Sequence, residues 1–223
     1  MSTNIAVLVS GGGTNLQALI DAQARGELGG GIITAVISSK AGAYALERAA
    51  KAGIPGFVLP RKEFPSNRAM TLALVEKLKE LKTDLVVLAG CMVIFTRELA
   101  DAYPNAVMNV HPALIPSFCG PGYYGLRVHE EALRYGVKVS GATVHFVTEE
   151  CDGGPIILQK AVAVEEGDTP ETLQRRIMEQ AEWKILPRAA ALFCAGRLRV
   201  EDGIVHILEE NGRDGKEKQN GTF

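Results

Sequence analysis

The chain has 223 residues, of which 47% are hydrophobic and 22% are charged, and its formal net charge is −2. This composition is ordinary for a globular protein, and so small a negative charge gives no general attraction to nucleic acid or to an anionic membrane surface. No apolar run approaches the length of a membrane span, and the N-terminus lacks the basic region and apolar core of a signal peptide, so we expect a cytoplasmic protein.

The first half of the chain alternates strand and helix patterns. Apolar runs predict strands over residues 5–9, 32–37, 56–59 and 85–88, and a further strand that carries Asn109. Helical spacing predicts helices over residues 15–24, 44–52, 66–81 and 96–103, with Ser66 as an N-cap. This succession predicts a parallel sheet with helices on both faces and a ligand site beyond the carboxyl ends of the strands.

The second half is less regular. Residues 112–125 form a loop rich in proline, glycine and aromatic residues, and residues 127–135 read as a helix. Strands are predicted over residues 139–147 and 156–164, a long helix capped by Thr169 over residues 169–195, and a hairpin over residues 197–200 and 204–208. From residue 211 the chain is polar and glycine-rich, which predicts a flexible tail over residues 211–223.

These patterns together predict the fold class. We expect an α/β fold with a Rossmann-like, mostly parallel twisted sheet, helices on both faces and antiparallel strands in the C-terminal part. Residues 1–210 should form a single domain, in which residues 1–105 and 106–210 are two intimate halves.

A glycine-rich segment, Ser-Gly-Gly-Gly-Thr-Asn at residues 10–15, lies between the first strand and the first helix. Glycines allow close backbone approach, and a helix N-terminus offers free N–H groups, so a phosphate monoester fits this loop; a purely structural turn is the alternative. A dinucleotide fits less well, because Leu16 replaces the third glycine of the fingerprint and the second strand ends without a carboxylate. We therefore expect no NAD.

Three polar residues are candidates for the chemistry. Asn109 and His111 are two positions apart at the end of a strand, on one side of the chain, and Asp152 begins a turn-rich Asp-Gly-Gly-Pro segment. An amide donor, an imidazole and a carboxylate can stabilise an oxyanion and move a proton. None of the three is a nucleophile, which points to a substrate that brings its own.

Metal and disulfide chemistry are not expected. The cysteines are Cys91, Cys119, Cys151 and Cys194, and no two of them have the Cys-x-x-Cys spacing of a zinc knuckle. They read as small apolar fillers, although Cys91 and Cys151 are also candidates for a position near the site.

With these features together, the chain resembles the phosphoribosylglycinamide formyltransferases, which use 10-formyltetrahydrofolate in purine biosynthesis. The resemblance covers residues 4–209. Its marks are the glycine-rich segment, Leu-Ala-Gly-Cys-Met at residues 88–92, Asn-Val-His-Pro-Ala-Leu-Ile-Pro at 109–116, Gly-Ala-Thr-Val-His-Phe-Val at 141–147 and Asp-Gly-Gly-Pro-Ile at 152–156. It implies that residues 1–105 bind the phosphate and that residues 106–210 hold the catalytic groups and the folate.

The resemblance also implies roles for the three polar residues. The substrate amine attacks the formyl carbon on N10 of the folate, and Asn109 and His111 stabilise the negative charge on the formyl oxygen. Asp152 pairs with His111 and favours its imidazolium form, and proton transfer from the amine to N10 runs through water near Asp152.

Binding residues follow by position. The phosphate is expected on Gly13, Thr14 and Asn15, and the ribonucleotide on Glu182. The folate is expected on Arg68, Met92, Val93, Ile94, Phe95, Asn109, Thr148, Glu149, Glu150, Cys151 and Asp152. For Arg68 and Glu182 a solvated helix face is the alternative. The co-substrate is 10-formyltetrahydrofolate, with no metal.

Several features leave alternatives open. Val93 stands where relatives often carry an arginine, and Arg97 is a candidate substitute. The loop at residues 117–124 looks longer than in many relatives, and either shapes the folate mouth or is a surface insertion. His129 and His145 either bond in the core or face solvent, and His145 is also a candidate to support the catalytic group.

Three other functions use parts of the same pattern. Water in place of the amine would make the protein a formyl-folate deformylase, although such enzymes usually carry an extra N-terminal module. A formylase of aminoacyl-tRNA would add a nucleic-acid-binding domain, and a nucleotide sensor would need no catalytic residues. We expect small-molecule substrates and neither nucleic acid nor membrane as a partner, with monomer or homodimer left open.

Overall fold

The computed structural model describes residues 2–209, which form a seven-stranded sheet flanked by helices and a separate two-stranded hairpin. The strands are β1 (Thr3–Val9), β2 (Gly31–Ser38), β3 (Gly56–Val58), β4 (Leu85–Leu88), β5 (Val107–His111), β6 (Val139–Phe146), β7 (Ile156–Ala163), β8 (Leu198–Glu201) and β9 (Ile204–Ile207). The helices are α1 (Thr14–Ala24), α2 (Tyr44–Lys51), α3 (Asn67–Glu80), α4 (Arg97–Ala102), α5 (Arg127–Tyr135), α6 (Pro170–Ile177) and α7 (Trp183–Cys194). The tail predicted for residues 211–223 lies outside the described residues.

The sheet has the strand order β3-β2-β1-β4-β5-β6-β7. Strands β1 to β5 pair in parallel, whereas β6 pairs with both of its neighbours in antiparallel fashion. The predicted fold class, a mostly parallel sheet with antiparallel strands in the C-terminal part, is therefore confirmed. No helix of the described residues is long and apolar enough to cross a membrane.

Strand β1 shows why the sheet needs helices on both faces. Ile5, Val7 and Val9 are buried in the apolar cluster that includes residues of α1, α2 and α7. The alternate residues Ala6 and Leu8 are buried in the second cluster, which includes residues of α3 and α4. A continuous apolar run is what a strand buried on both faces requires.

The register of the sheet sets the position of the functional site. Leu8 of β1 pairs with Leu88 of β4, which in turn pairs with Asn109 of β5. The segments that follow β1, β4 and β5 therefore leave the sheet at the same edge, as expected for parallel strands. Residues 10–15, residues 89–96 and the start of the loop after His111 lie at this edge.

The predicted helix over residues 169–195 is interrupted in the structure. Helix α6 ends at Ile177, a π-helical turn occupies Met178–Glu182, and α7 follows. Pro187 in α7 has no N–H to donate to the carbonyl of Trp183, the first residue of that helix. The π turn carries Glu182, one of the candidate binding residues, and such turns are frequent at functional sites.

Candidate active site

Strand β5 presents Asn109 and His111 from the same face of the sheet, two positions apart. Its antiparallel neighbour β6 places His145 directly opposite Asn109. The amide nitrogen Nδ2 of Asn109 lies 3.3 Å from Nε2 of His145, and Nδ1 of His145 lies 2.9 Å from the carbonyl oxygen of Phe146. Since a carbonyl can only accept, Nδ1 of His145 carries hydrogen and Nε2 accepts from Asn109. The Asn109 amide keeps its second N–H for another acceptor.

Asp152 completes the group from the turn between β6 and β7, where its φ is 56°. Its Oδ2 lies 3.6 Å from Nδ1 of His111, and its Oδ1 lies 3.6 Å from Nε2 of His145. The amide N–H of Gly120 donates to the same Oδ2 at 2.9 Å. The structure thus brings the three candidate catalytic residues together, with His145 between two of them.

Burial and Asp152 have opposite effects on the protonation of His111. Burial lowers the pKa of His111, while Asp152 and the Phe118 carbonyl act in the opposite direction without reversing the shift. Asp152 thus favours the imidazolium form, as expected, but the almost complete burial of the ring outweighs this effect in the ligand-free protein. Burial also opposes the charged form of Asp152, but His145, His111 and the Gly120 N–H hold its pKa below the usual range.

The loop between β5 and α5 contacts this group directly. Nε2 of His111 lies 2.8 Å from the carbonyl oxygen of Phe118, and the N–H of Gly120 donates to Oδ2 of Asp152. The loop therefore lies against the candidate catalytic residues. Sequence reasoning missed both groups, because main-chain atoms leave no mark in a side-chain pattern.

The glycine-rich segment leads from β1 into α1. Gly13 is the N-cap with φ 71°, and a Cβ added to it would lie 2.6 Å from Cβ of Ala45, so only glycine allows this approach of α2. Thr14 Oγ1 lies 3.9 Å from the sulfur of Met178. The first amides of α1 have no partner within the helix, which is the arrangement that suits an anion.

Asn15 and Glu182 meet beneath this segment. Asn15 Nδ2 donates to Glu182 Oε2 at 2.6 Å, and both side chains are buried. Burial raises the pKa of Glu182 to about 7, although the bond from Asn15 acts to lower it. The alternative of a solvated helix face is wrong for Glu182.

The expected folate segments flank the edge of the sheet. Met92 and Ile94 are 53% and 66% exposed, and the Met92 amide donates to Ser10 Oγ at 2.8 Å, which ties this segment to the glycine-rich one. Val93 and Phe95 are half-buried. Thr148, Glu149, Glu150 and Cys151 are exposed in the turn before Asp152.

Two arginines differ in their relation to these segments. Arg97 lies 4.0 Å from Glu149, beside the Asp152 turn, and also pairs with Asp101. Arg68 is mostly exposed in α3 and pairs with Glu98. This position agrees with both alternatives for Arg68, a solvated helix face and a contact with the folate.

Burial decides between the two alternatives for His129, a position in the core or one facing solvent. His129 is completely buried in α5, and neither of its ring nitrogens has a hydrogen-bond partner among the described residues. Burial lowers its pKa to about 4.

All four cysteines are free thiols. Within residues 2–209, no three histidine, cysteine or carboxylate side chains are grouped as a metal site.

Comparison with known proteins agrees with this geometry. The sequence model of the family described as formyl transferase matches residues 3–190, which include the strands and turns that carry all three candidate catalytic residues. The chain belongs to the formyl transferase family.

Individual members of the family resemble the chain over almost all of its length. Phosphoribosylglycinamide formyltransferase from Haemophilus influenzae is 42% identical over 203 residues, which are 91% of this chain and 92% of the relative. The crystal structure of glycinamide ribonucleotide transformylase 1 from Symbiobacterium toebii superimposes with a TM-score of 0.88 at 46% identity and covers 93% of this chain and 95% of that one.

A longer member of the formyl transferase family also matches. The trifunctional purine biosynthetic protein adenosine-3 from Bos taurus is 44% identical over 209 residues. The match covers 94% of this chain but 19% of the bovine protein, so the chain spans about a fifth of that relative's length.

Proposed function

We propose that the protein transfers the formyl group of 10-formyltetrahydrofolate to the primary amine of 5-phosphoribosylglycinamide. The products are formylglycinamide ribonucleotide and tetrahydrofolate, in purine biosynthesis. One observation carries the proposal: Asn109, His111 and Asp152 meet at the carboxyl edge of a formyl transferase sheet, with no side-chain nucleophile among them. A substrate that supplies its own amine needs oxyanion donors and a proton acceptor from the protein, and these three residues supply both.

In the proposed reaction the substrate amine attacks the formyl carbon, and negative charge develops on the formyl oxygen. The free N–H of Asn109 and the Nδ1–H of protonated His111 donate to that oxygen, and such donors contribute several kcal/mol in a site that excludes water. The negative charge favours the imidazolium form, so His111 takes up a proton from solvent at Nδ1 and returns it to solvent when the tetrahedral species collapses; this proton is separate from the one that the amine loses. Asp152 accepts the proton that the amine loses. That proton then passes to N10 as the C–N bond to the folate breaks.

Substrate binding follows the same layout. We place the phosphate on the main-chain N–H groups of Gly13, Thr14 and Asn15 and on the Thr14 hydroxyl, because the Asn15 side chain already bonds to Glu182. Glu182, whose carboxyl is partly protonated near neutral pH, faces the ribose hydroxyls. The pterin lies between residues 92–95 and 148–152, and Arg97 or Arg68 pairs with the glutamate carboxylate of the folate. The proposal needs neither metal nor NAD.

The test is turnover with purified protein and 10-formyltetrahydrofolate, in the presence and absence of 5-phosphoribosylglycinamide. Formylated ribonucleotide and tetrahydrofolate should appear together, and only when the amine is present. Formate release without the amine would identify a deformylase instead, and no turnover in either arm would contradict an enzymatic role.

A pair of histidine variants assigns the activity to the site. His111→Ala should reduce kcat by roughly 100-fold or more, the range expected for a lost oxyanion donor. His206→Ala is the matched control, because His206 is exposed in β9, away from the catalytic strand. Equal activity of the two variants would contradict the role proposed for His111.

A further inference from the structure

We infer that the loop between β5 and α5 is a positioning element: main-chain groups of Phe118 and Gly120 hold His111 and Asp152 in their reacting orientations. The inference rests on the proposed function, because the loop acts only through those two side chains. The sequence left two alternatives open for this long loop, a folate mouth or a surface insertion. The inference assigns it a third role, which is to position the catalytic residues.

The contact with Phe118 determines which nitrogen of His111 takes part in proton transfer. Nε2 of His111 lies 2.8 Å from the Phe118 carbonyl oxygen. A carbonyl oxygen only accepts, so Nε2 must carry the hydrogen. Nδ1 is therefore the nitrogen that changes its protonation, and it is the one that faces Asp152. Rotation of the imidazole would break the Phe118 bond, so the loop also sets the orientation of the ring.

The contact with Gly120 positions the carboxylate. The Gly120 N–H donates at 2.9 Å to Oδ2 of Asp152, and the same oxygen lies 3.6 Å from Nδ1 of His111. A separation of 3.6 Å is too long for a direct hydrogen bond, so Asp152 is not held by His111. The amide of Gly120 holds Oδ2 beside the ring while leaving room between the two groups.

Hydrogen bonds and aromatic contacts fix the loop between β5 and α5 in place. At its start, Thr143 Oγ1 donates to the Ala113 carbonyl at 2.7 Å and accepts from the Ile115 amide at 3.1 Å. Further along, the ring of Phe118 lies 6.4 Å from the ring of Tyr123 and 6.1 Å from the ring of Tyr135 in α5, measured between centroids. These contacts come from three elements, β6, α5 and the loop itself.

Other ionisable groups face the pair and stay constant in the variants below. His145 lowers the tendency of His111 to become charged, and His111 in turn lowers the tendency of His129 to become charged. Cys119 and Cys151 lie beside Asp152. A change confined to the loop variants is therefore attributable to the loop contacts.

The first test compares two substitutions of Phe118, whose φ is 50°. Phe118→Val and Phe118→Asn both remove the ring, but a β-branched residue strongly disfavours a positive φ whereas asparagine tolerates it. The valine variant should lower kcat roughly 10- to 100-fold with KM nearly unchanged, as a misplaced catalytic group does. The asparagine variant loses the same ring contacts but tolerates the backbone conformation, so its kcat should fall distinctly less than that of the valine variant.

The second test compares Gly120→Ala with Gly122→Ala. The two glycines have φ of 87° and 91°, and an added Cβ meets nothing closer than 3.8 Å at either position, so both substitutions strain the same loop to a similar degree. Only Gly120 bonds to the catalytic carboxylate. We expect Gly120→Ala to lower kcat by about tenfold and Gly122→Ala to leave it unchanged.

Nuclear magnetic resonance titration gives a readout that does not depend on activity. Loss of the Phe118 acceptor should lower the pKa of His111 further in Phe118→Val and remove the preference for hydrogen on Nε2. Alanine keeps the main-chain N–H, but its strain at a φ of 87° should move that N–H away from Oδ2, so the pKa of Asp152 should rise in Gly120→Ala. The same ring and carboxyl signals should be unmoved in Gly122→Ala.

The outcomes separate this inference from the proposed function. If His111→Ala abolishes turnover but Phe118→Val matches Phe118→Asn and Gly120→Ala matches Gly122→Ala, the loop is not a positioning element. If His111→Ala retains turnover while the loop variants still shift the two titrations, the proposed function is wrong and the structural contacts stand.

Discussion

Asn15 and Glu182 lie 167 positions apart in the chain, yet Asn15 Nδ2 donates to Glu182 Oε2 at 2.6 Å. The bond joins the first turn of α1 to the π turn before α7. The other amide atom, Asn15 Oδ1, is buried with no hydrogen-bond partner among the described residues. A protonated Glu182 can donate to that oxygen as well as accept from Nδ2, which agrees with its raised pKa.

The state of Glu182 should appear in the pH dependence of stability. Its native pKa of about 7 exceeds the usual 4.5, so the unfolded chain releases the proton first and stability falls as pH rises between these values. The loss amounts to at most about 3 kcal/mol. Glu182→Gln cannot ionise and should gain stability relative to wild type between pH 5 and pH 8, measured by urea unfolding. Glu179→Gln, exposed in the same turn, should follow wild type. A parallel pH dependence of Glu182→Gln and wild type would contradict the assignment.

Asp152→Asn tests the proposed proton acceptor. The amide cannot take a proton at neutral pH, and kcat should fall by roughly 10²- to 10⁴-fold while the free energy of unfolding changes little. Asp202→Asn is the control, because Asp202 also has a positive φ, 50°, but lies in the β8–β9 turn. A loss of turnover in both variants, or in neither, would remove Asp152 from the mechanism.

Gly13 and Gly12 make a second matched pair, in the glycine-rich segment. A Cβ at Gly13 would collide with Ala45 and φ is 71°, so Gly13→Ala should lower the free energy of unfolding by about 1–3 kcal/mol. A Cβ at Gly12 meets nothing within 4 Å, so Gly12→Ala should unfold like wild type. If the phosphate binds here, Gly12→Ala should raise KM for the ribonucleotide more than KM for the folate. Equal effects on the two KM values would argue against a phosphate site at this loop.

His129 should govern part of the acid sensitivity of the fold. Its pKa of about 4 lies below the usual 6.5, so the unfolded chain binds a proton first and stability falls as pH drops from 6.5 towards 4. This loss is at most about 3 kcal/mol. His129→Leu should lose less stability between pH 7.5 and pH 4.5 than wild type, measured by urea unfolding, whereas His206→Leu should behave as wild type. An unchanged acid response in His129→Leu would show that the buried imidazole is protonated at little cost.

Local patterns predicted most of the elements correctly, although not the π turn that interrupts the long helix predicted over residues 169–195. The apolar run of β1 and the helical spacing before Leu81 are short-range properties, and the predicted cap at Ser66 is confirmed by its bond from the Ala69 amide. The two-residue spacing of Asn109 and His111 placed them on one side of a strand, because side-chain direction alternates with a period of two.

The sequence by itself determined which functional groups are available and the alternation of strands and helices. It also determined the family resemblance, which the comparisons confirm. Tertiary structure decided the rest: that Asp152 is held by Gly120, that His145 lies between Asn109 and Asp152, and that His111 resists protonation. Element type follows from neighbours along the chain, whereas burial and contacts between distant segments follow from how all of the elements pack.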